Sequence, residues 1–105
     1  MSTSQYDFLR QALLNRTPCS AVYDNLPRFI CPHVIGSKKG EEQVLVWQYA
    51  GETSDGPITE PLWKCLKIAK LSQLAIAPGE WRAGVRGPTG VPTTCVGEVD
   101  EIIEL

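Results

Sequence analysis

Apolar positions near the start of the chain repeat at helical spacing. Leu9 and Leu13 stand one turn apart, with Ala12 beside them. The pattern ends before Pro18, because the residue that precedes a proline avoids the α conformation. The spacing therefore predicts a helix over residues 4–15 whose apolar stripe needs a partner surface.

From residue 19 onward the apolar positions alternate with polar ones, which is typical of strands. We predict strands at 19–23, 28–35 and 44–49, the last being the clearest because it is rich in β-branched and aromatic residues. Pro32 indicates an edge position or a bulge, since proline cannot donate to a strand ladder. A glycine-bounded turn at 36–40 joins the second and third strands into a hairpin.

The stretch 62–76 is ambiguous from its pattern alone. As a helix it would place Leu66 and Ala69 on one face, and the local pattern slightly favours this interpretation. As β structure it would form a strand, a turn at 69–72 and a second strand.

The last third of the chain is irregular in composition. Residues 78–92 contain four glycines and three prolines, which predicts a long loop. A last strand is expected over 94–99, followed by a short helix or a frayed end over 99–105. The eight residues 98–105 hold four acids and no base, so we expect them to be a solubilising extension.

Length and composition indicate one globular domain over residues 1–105. The chain is 43% hydrophobic and 21% charged, which is enough for one core and argues against disorder of the whole chain. The net charge of −2 argues mildly against a dedicated nucleic-acid binder. With no signal-peptide pattern and no apolar run of membrane-spanning length, we expect a cytoplasmic protein without a membrane segment, whose four irregularly spaced cysteines are reduced.

The sequence offers little for metal or covalent chemistry. Cys31 and His33 lie two residues apart, but no cysteine pair has the spacing of a structural zinc site. His33 is the single histidine and no nucleophile-elbow motif is present, so we expect neither an enzyme nor a cofactor. The glycine-rich run 84–90 lacks the Lys-Ser/Thr ending of a phosphate loop and is interpreted as a surface loop.

Three blocks of the chain are similar to the WYL domain family, small SH3-like barrels found mostly in bacterial transcription regulators. The first is Tyr23-Asp24 followed by Arg28-Phe29-Ile30-Cys31-Pro32-His33-Val34-Ile35-Gly36. The second is the strand 44–49, and the third is the segment 63–74. The resemblance covers about residues 8–77 and is closest to short members that stand alone; the Gly/Pro-rich and acidic part, 78–105, is not covered.

The chain also departs from this family. Gln43-Val44-Leu45 stands in place of the naming tripeptide, and lysines stand at positions 67 and 70 where the family has arginines. Lysine cannot make the planar bidentate contacts of arginine. The resemblance therefore leaves open a weaker anion site, a different anion, or a lost site. It also implies strand, tight turn and strand for the ambiguous stretch.

The fold expected from this resemblance is a mainly β, small SH3-like antiparallel barrel with one N-terminal helix. Its expected core is Leu9, Leu13, Val22, Ile30, Val44, Val46, Leu66, Ile68 and Leu74.

The expected function is that of a non-catalytic ligand-binding or regulatory module, in transcription regulation or in phage or stress defence. It would sense a nucleotide or a short single-stranded nucleic acid through charged and stacking residues. These are Arg28, His33, Trp47, Lys67 and Lys70, within a wider basic set that adds Lys64, Arg82 and Arg86. The alternative is a protein-interaction module that acts through an exposed barrel edge or a homodimer interface.

Overall fold

A computed structural model describes residues 4–85 and 96–103. In chain order the elements are α1 (Ser4–Leu14), β1 (Cys19–Tyr23), β2 (Leu26–Lys38), β3 (Glu41–Thr53), β4 (Gly56–Pro57), β5 (Leu62–Lys67), a one-turn 3₁₀ helix (Ile68–Lys70), β6 (Leu71–Ile76) and β7 (Glu98–Ile102). The described part of the chain is thus mainly β with one α-helix at its N-terminal side. Its antiparallel sheet curls into a half-barrel, which confirms the expected class of a small mainly β barrel.

The strands are ordered β4-β3-β2-β1-β6, with β5 paired to β3 and β7 paired to β2. The ambiguous stretch forms two strands joined by the 3₁₀ turn, so the helical interpretation is wrong. The reason is tertiary, because β5 pairs with β3 from Gln48↔Leu62 to Gln43↔Lys67 while β6 pairs with β1 at the other side of the sheet. Contacts between distant strands override a weak local periodicity.

The sheet has two faces, each with its own cluster of buried side chains. We call the face that α1 covers the concave face; it carries the main core, formed by Leu9 and Leu13 with strand residues such as Ile30, Val46 and Leu66. The opposite, convex face carries a smaller cluster of Val34, Leu45 and Val96, with Trp63 and Ile102 packed against it. Of the nine predicted core residues, Val22 and Leu74 are only half-buried and the other seven are buried.

Proline 32 marks a break in β2. Pro32 lies opposite Val46 and Val34 lies opposite Leu45, so His33 is an extra residue and forms a bulge. On the other edge of β2, the pairing with β1 ends at Ile30 and the pairing with β7 begins at Val34. The predicted bulge is confirmed. The strand is interior, but the proline occupies a short gap where no neighbouring strand requires its missing N–H.

The acidic end of the chain belongs to the sheet. Residues 98–102 form β7, which pairs antiparallel with β2, so the expected short helix or frayed end is wrong. Arg10 of α1 contacts Asp100 at 3.2 Å and Glu101 at 2.9 Å, and the Tyr6 hydroxyl donates to Asp100 at 2.6 Å. The acids at this end therefore attach β7 to α1 rather than forming a solubilising extension.

The cysteines differ from one another. Cys19 and Cys31 are buried free thiols, as expected, whereas Cys65 is disulfide-bonded, so the expectation of four reduced thiols is wrong. Cys95 lies outside the described residues. In the part of the chain described here, no helix is long and apolar enough to cross a membrane.

Candidate ligand site

The structure divides the five predicted site residues between the two faces of the sheet. Arg28 shares the concave face with Ile30, because the two alternate along β2. His33 and Trp47 lie among the aromatic side chains of the convex face. Lys67 ends β5 and Lys70 is exposed on the 3₁₀ turn. The expected single constellation does not form.

Arg28 is a buried cation. The residue is only 3% exposed. The guanidinium carbon lies 5.0 Å from the centre of the Tyr23 ring, and Nη1 donates a long hydrogen bond of 3.4 Å to Oε1 of Gln48. The buried Nε has no hydrogen-bond partner in the described part of the chain.

No acid of the described residues balances the charge of Arg28. No carboxylate of the described residues lies within 4.0 Å of it, although the structure contains such pairs elsewhere, at Arg10 and Lys67. An arginine stays protonated in a protein, and burying its charge without a counter-ion is costly. The cation–π contact with Tyr23 compensates only part of this cost, about 0.5–2 kcal/mol.

Neighbouring groups orient toward Arg28. The Gln48 amide nitrogen donates to the carbonyls of Ala50 and Glu52, at 3.3 and 3.2 Å, which turns the amide oxygen to the guanidinium. The Tyr23 hydroxyl accepts a hydrogen bond from the backbone N–H of Lys67 at 3.3 Å, which holds the ring in place. The site is therefore preorganised around the cation.

Lys64 adds a second positive charge on the same face. It lies opposite Val46 in the β3–β5 pairing and alternates with the core residue Leu66, so it is placed on the concave face. The residue is half-buried and makes no ion pair with the described residues. We call Tyr23, Arg28, Gln48 and Lys64 the arginine niche.

Three members of the arginine niche were not among the five predicted site residues. Lys64 could have been found from the alternation of β5, once that segment is read as a strand. Tyr23 appeared only as part of the family resemblance. No signal in the sequence marks Gln48, because its role depends on a backbone that turns two carbonyls toward its amide.

His33 has no free ring nitrogen for a ligand. The residue is fully buried, with Nδ1 2.7 Å from the carbonyl oxygen of Cys31, while Nε2 accepts the N–H of Gly84 at 3.0 Å. Because Nε2 is an acceptor, Nδ1 carries the hydrogen and the ring is neutral. Burial lowers the pKa of His33, and the contact with the Cys31 carbonyl opposes this only in part.

Trp47 belongs to an aromatic cluster, which we define as His33, Trp47, Trp63 and Trp81. The Trp47 and Trp63 rings meet edge to face at 5.0 Å, and the imidazole lies 4.9 Å from Trp63 and 4.8 Å from Trp81. Offset and edge contacts of this kind stabilise aromatic pairs. Trp47 is 9% exposed, so its ring is packed within the fold rather than presented to a ligand.

Residues 81–85 cover this aromatic cluster. The Trp63 indole N–H donates to the carbonyl of Val85 at 3.0 Å, and the backbone N–H of Arg82 contacts the sulfur of Cys31 at 3.4 Å. Gly84 is buried against the indoles, where a Cβ would overlap Trp63 and lie 2.9 Å from Trp47. The sequence predicted only a loop here, whereas the described part of it seals the convex face.

The remaining basic residues lie away from Arg28 or are already paired. The guanidinium of Arg82 stacks on Tyr49 at 4.1 Å on the convex face, and Arg86 lies outside the described residues. Lys67 makes an exposed ion pair of 3.6 Å with Glu41, a type of contact that contributes little to stability. The wider basic set therefore does not converge on one surface.

Among the described residues, no group of three or more histidine, cysteine or acidic side chains is placed to hold a metal ion.

Comparison of the chain with protein-family models, with curated proteins and with solved structures finds no match to any of them.

Proposed function

We propose that this domain is a non-catalytic binding module that holds an anionic ligand, such as a nucleotide or a short single-stranded nucleic acid, at the arginine niche. The observation that carries the proposal is Arg28, a residue that is 3% exposed. Among the described residues, its Nε has no hydrogen-bond partner and no carboxylate lies within 4.0 Å of its guanidinium. Buried arginines are usually paired, and arginine is the side chain best suited to bind phosphate or carboxylate oxygens.

An oxyanion at this position would improve on the contacts that Arg28 has now. Its oxygen would replace the long contact to Gln48, and the Tyr23 ring would stay against the guanidinium. Lys64 would supply the second positive charge. The resemblance to WYL domains, which occur mostly in transcription regulators, extends the proposal to a regulatory role.

The proposed set differs from the five residues that the sequence suggested. His33 and Trp47 are left out, because their polar atoms and rings are already engaged within the fold. Lys70 is exposed, and Lys67 is half-buried and paired with Glu41. Lys70 would steer an anion toward the domain without contacting it in the niche.

The test is thermal unfolding of the whole chain with inorganic phosphate, mononucleotides, cyclic nucleotides, dinucleotides and short single-stranded DNA and RNA, each at two salt concentrations. A ligand at a hundred times its dissociation constant stabilises a protein by about 2.7 kcal/mol. For a domain of this size that raises the midpoint by roughly 10 °C or more. We expect such a shift from at least one class of anion, and we expect it to fade in high salt.

Arg28→Met separates a ligand-binding role from a structural one. Because it removes an unbalanced buried charge and keeps an apolar stem, we expect the free protein to be as stable as wild type or more stable. The ligand-induced shift should disappear. Lys64→Gln should weaken the shift, whereas Lys39→Gln, in the turn between β2 and β3, should leave it unchanged.

Two results would overturn the proposal. One is the absence of a shift with every anion in the panel. The other is a shift that persists in Arg28→Met, which would place the ligand elsewhere on the domain.

A further inference from the structure

We propose that the group held in the arginine niche is a terminal phosphate, that is, a phosphomonoester with one substituent, rather than an internal phosphodiester of a nucleic-acid strand. This inference rests on the proposed function and narrows it to one class of anion. Three properties of the domain carry it: the nitrogens of Arg28 that are open to a ligand, the burial of Arg28, and the distribution of the other cations.

The open donors of Arg28 lie together on one side of its guanidinium. Nη1 already donates to Gln48, and Nε has no hydrogen-bond partner within residues 4–85 and 96–103. Nε and Nη2 point their N–H bonds the same way from the planar group, and such a pair of donors binds two oxygens of one oxyanion. The contact with Gln48 therefore leaves the side of the guanidinium that is suited to bidentate binding.

Lys64 calls for a third oxygen on the ligand. It is placed on the same concave face as Arg28, is half-buried and makes no ion pair with a described residue. A phosphomonoester has three unesterified oxygens, so two can contact Arg28 while the third contacts Lys64. A phosphodiester has only two, and Arg28 uses both.

The charge of the ligand leads to the same choice. A phosphomonoester carries a charge of about −1.5 to −2 near neutral pH. A phosphodiester carries a single negative charge. Because no acid of the described residues balances Arg28 or Lys64, the monoester neutralises the two cations of the niche more completely.

The burial of Arg28 limits the shape of a group that can reach it. The residue is 3% exposed, and the Tyr23 ring lies 5.0 Å from its guanidinium carbon. The backbone of β3 is so close that a Cβ on Gly51 would lie 2.9 Å from the Cα of Arg28. An internal phosphate continues into the strand on two sides, and each side needs an open path. A terminal phosphate continues on one side only, so it can enter end-on.

The described cations do not form the groove that an internal stretch of a strand requires. Proteins that hold a strand along its backbone use a positively charged groove with aromatic rings for successive bases. Here Arg82 stacks on Tyr49 on the opposite face of the sheet, and Lys67 is paired with Glu41. A single buried arginine is suited to one phosphate at the end of a ligand.

Matched pairs of ligands test the inference by isothermal titration calorimetry of the whole chain. Adenosine monophosphate and its cyclic form share a base and a sugar, but the first is a monoester and the second a diester. A short single-stranded DNA with a phosphate at its end and the same strand with a hydroxyl there differ only in the terminal monoester. We expect the monoester of each pair to bind at least about tenfold more tightly, because it makes an additional charge-assisted hydrogen bond to Lys64.

The same measurements distinguish the sources of the terminal phosphate. Inorganic phosphate offers the group alone, adenosine monophosphate adds one nucleoside, and the phosphorylated strand adds several. The probe that binds most tightly identifies the source, and whichever it is, we expect the preference for the monoester within each pair to remain.

Lys64→Gln tests the assignment of the third oxygen. Because it removes the partner of the oxygen that a diester lacks, the preference for adenosine monophosphate over its cyclic form should fall to within about threefold. The affinity for the cyclic form should change little. Lys39→Gln removes an exposed lysine from the β2–β3 turn and is the matched control, which should keep the full preference. Circular dichroism shows whether both variants are folded.

The outcomes separate this inference from the proposed function. Equal affinity of the wild-type protein for both members of each pair would overturn the inference and leave an anion-binding module in place. A preference that persists unchanged in folded Lys64→Gln would also overturn it. Absence of binding by every anion would overturn the inference and the proposed function together.

Discussion

Burial has opposite consequences for His33 and Arg28, two polar side chains of β2. His33 loses its charge, and its neutral ring uses both nitrogens in hydrogen bonds. Arg28 cannot lose its charge, and no group of residues 4–85 or 96–103 is a hydrogen-bond partner of its Nε. We interpret the satisfied histidine as structural and the unsatisfied arginine as functional, because an unbalanced buried charge is costly to the free protein.

The histidine makes stability depend on pH. Burial lowers the pKa of His33 in the folded protein below its ordinary value of 6.5, while the unfolded chain keeps that value. Below 6.5 the unfolded chain therefore binds a proton that the folded protein does not. The contribution of neutral His33 to the free energy of unfolding is complete above pH 6.5. It is lost as the pH falls, by up to about 1.4 kcal/mol per pH unit, until the pH reaches the pKa of His33 in the folded protein.

Comparison with His33→Gln isolates this effect. Glutamine can donate and accept but does not titrate, so the variant should be less stable at neutral pH and the difference should narrow toward about pH 5. The free energy of unfolding in urea, measured for both proteins across this range, checks the prediction. Carboxylates contribute equally to both proteins and cancel. A difference that stays constant with pH would show that His33 does not remain neutral in the fold.

At the scale of elements, residues 81–85 contact β2 at the point where one of its edges has no paired strand. The pairing with β1 ends at Ile30 and that with β7 begins at Val34. The Cys31 sulfur and the His33 ring lie between these two points, and both accept backbone N–H groups of the segment. The irregular segment thus packs on the face of the sheet through side chains of β2, beside the part of one edge that has no paired strand.

Gly84→Ala tests how tightly this segment is packed. A Cβ at Gly84 would overlap Trp63 and lie 2.9 Å from Trp47, and both rings are held by their neighbours. We expect the variant to lose about 1–3 kcal/mol of stability, as overpacking does. Thermal and urea unfolding measure this loss.

Gly97→Ala is the matched control for this substitution. A Cβ there would meet nothing closer than 3.6 Å, at Lys38. Its stability should stay within about 0.5 kcal/mol of wild type. Equal effects of the two substitutions would mean that the segment is not fixed against the indoles.

The elements could be predicted where the local pattern and the tertiary contacts agree. The alternation at 19–23 and 44–49 and the stripe of Leu9 and Leu13 all lead to the observed strands and helix. The local pattern predicted the wrong elements at 62–76 and 98–102. These residues form strands because they pair with β3, β1 and β2, which are distant in the sequence. No local signal carries that information.

The site was less predictable than the elements, for a related reason. The family resemblance suggested that Arg28 and His33 act together, although residues five positions apart in a strand lie on opposite faces. His33 lies with Trp47 on the convex face, away from Arg28, and the bulge at His33 shifts the alternation of the residues that follow it. Which face a side chain occupies depends on register, and a single bulge changes it.

At the scale of the whole molecule, the two buried clusters share their strands. Ile30 and Val46 of the main core lie on β2 and β3, and so do Val34 and Leu45 of the convex cluster. Neither cluster has a strand pair of its own. Disruption of one cluster should therefore unfold the sheet that also supports the other cluster.

We accordingly predict a single cooperative unfolding transition. Tryptophan fluorescence reports on the convex face, where Trp47 and Trp63 lie, and far-ultraviolet circular dichroism reports on the sheet as a whole. In urea the two signals should change at the same midpoint with the same slope. A fluorescence transition that comes clearly earlier would show that the convex face opens while the sheet persists.

The attachment of β7 to β2 and α1 also has a consequence for how the domain is made. Tyr6 and Asp100 are 94 positions apart, so these contacts close a loop that takes in most of the described structure. Topologies dominated by such distant contacts fold slowly, because loop closure precedes the gain from pairing. While the residues of β7 are still inside the ribosome, the edge of β2 that β7 will cover stays open. Until β7 emerges, that edge is a surface through which a nascent chain would aggregate.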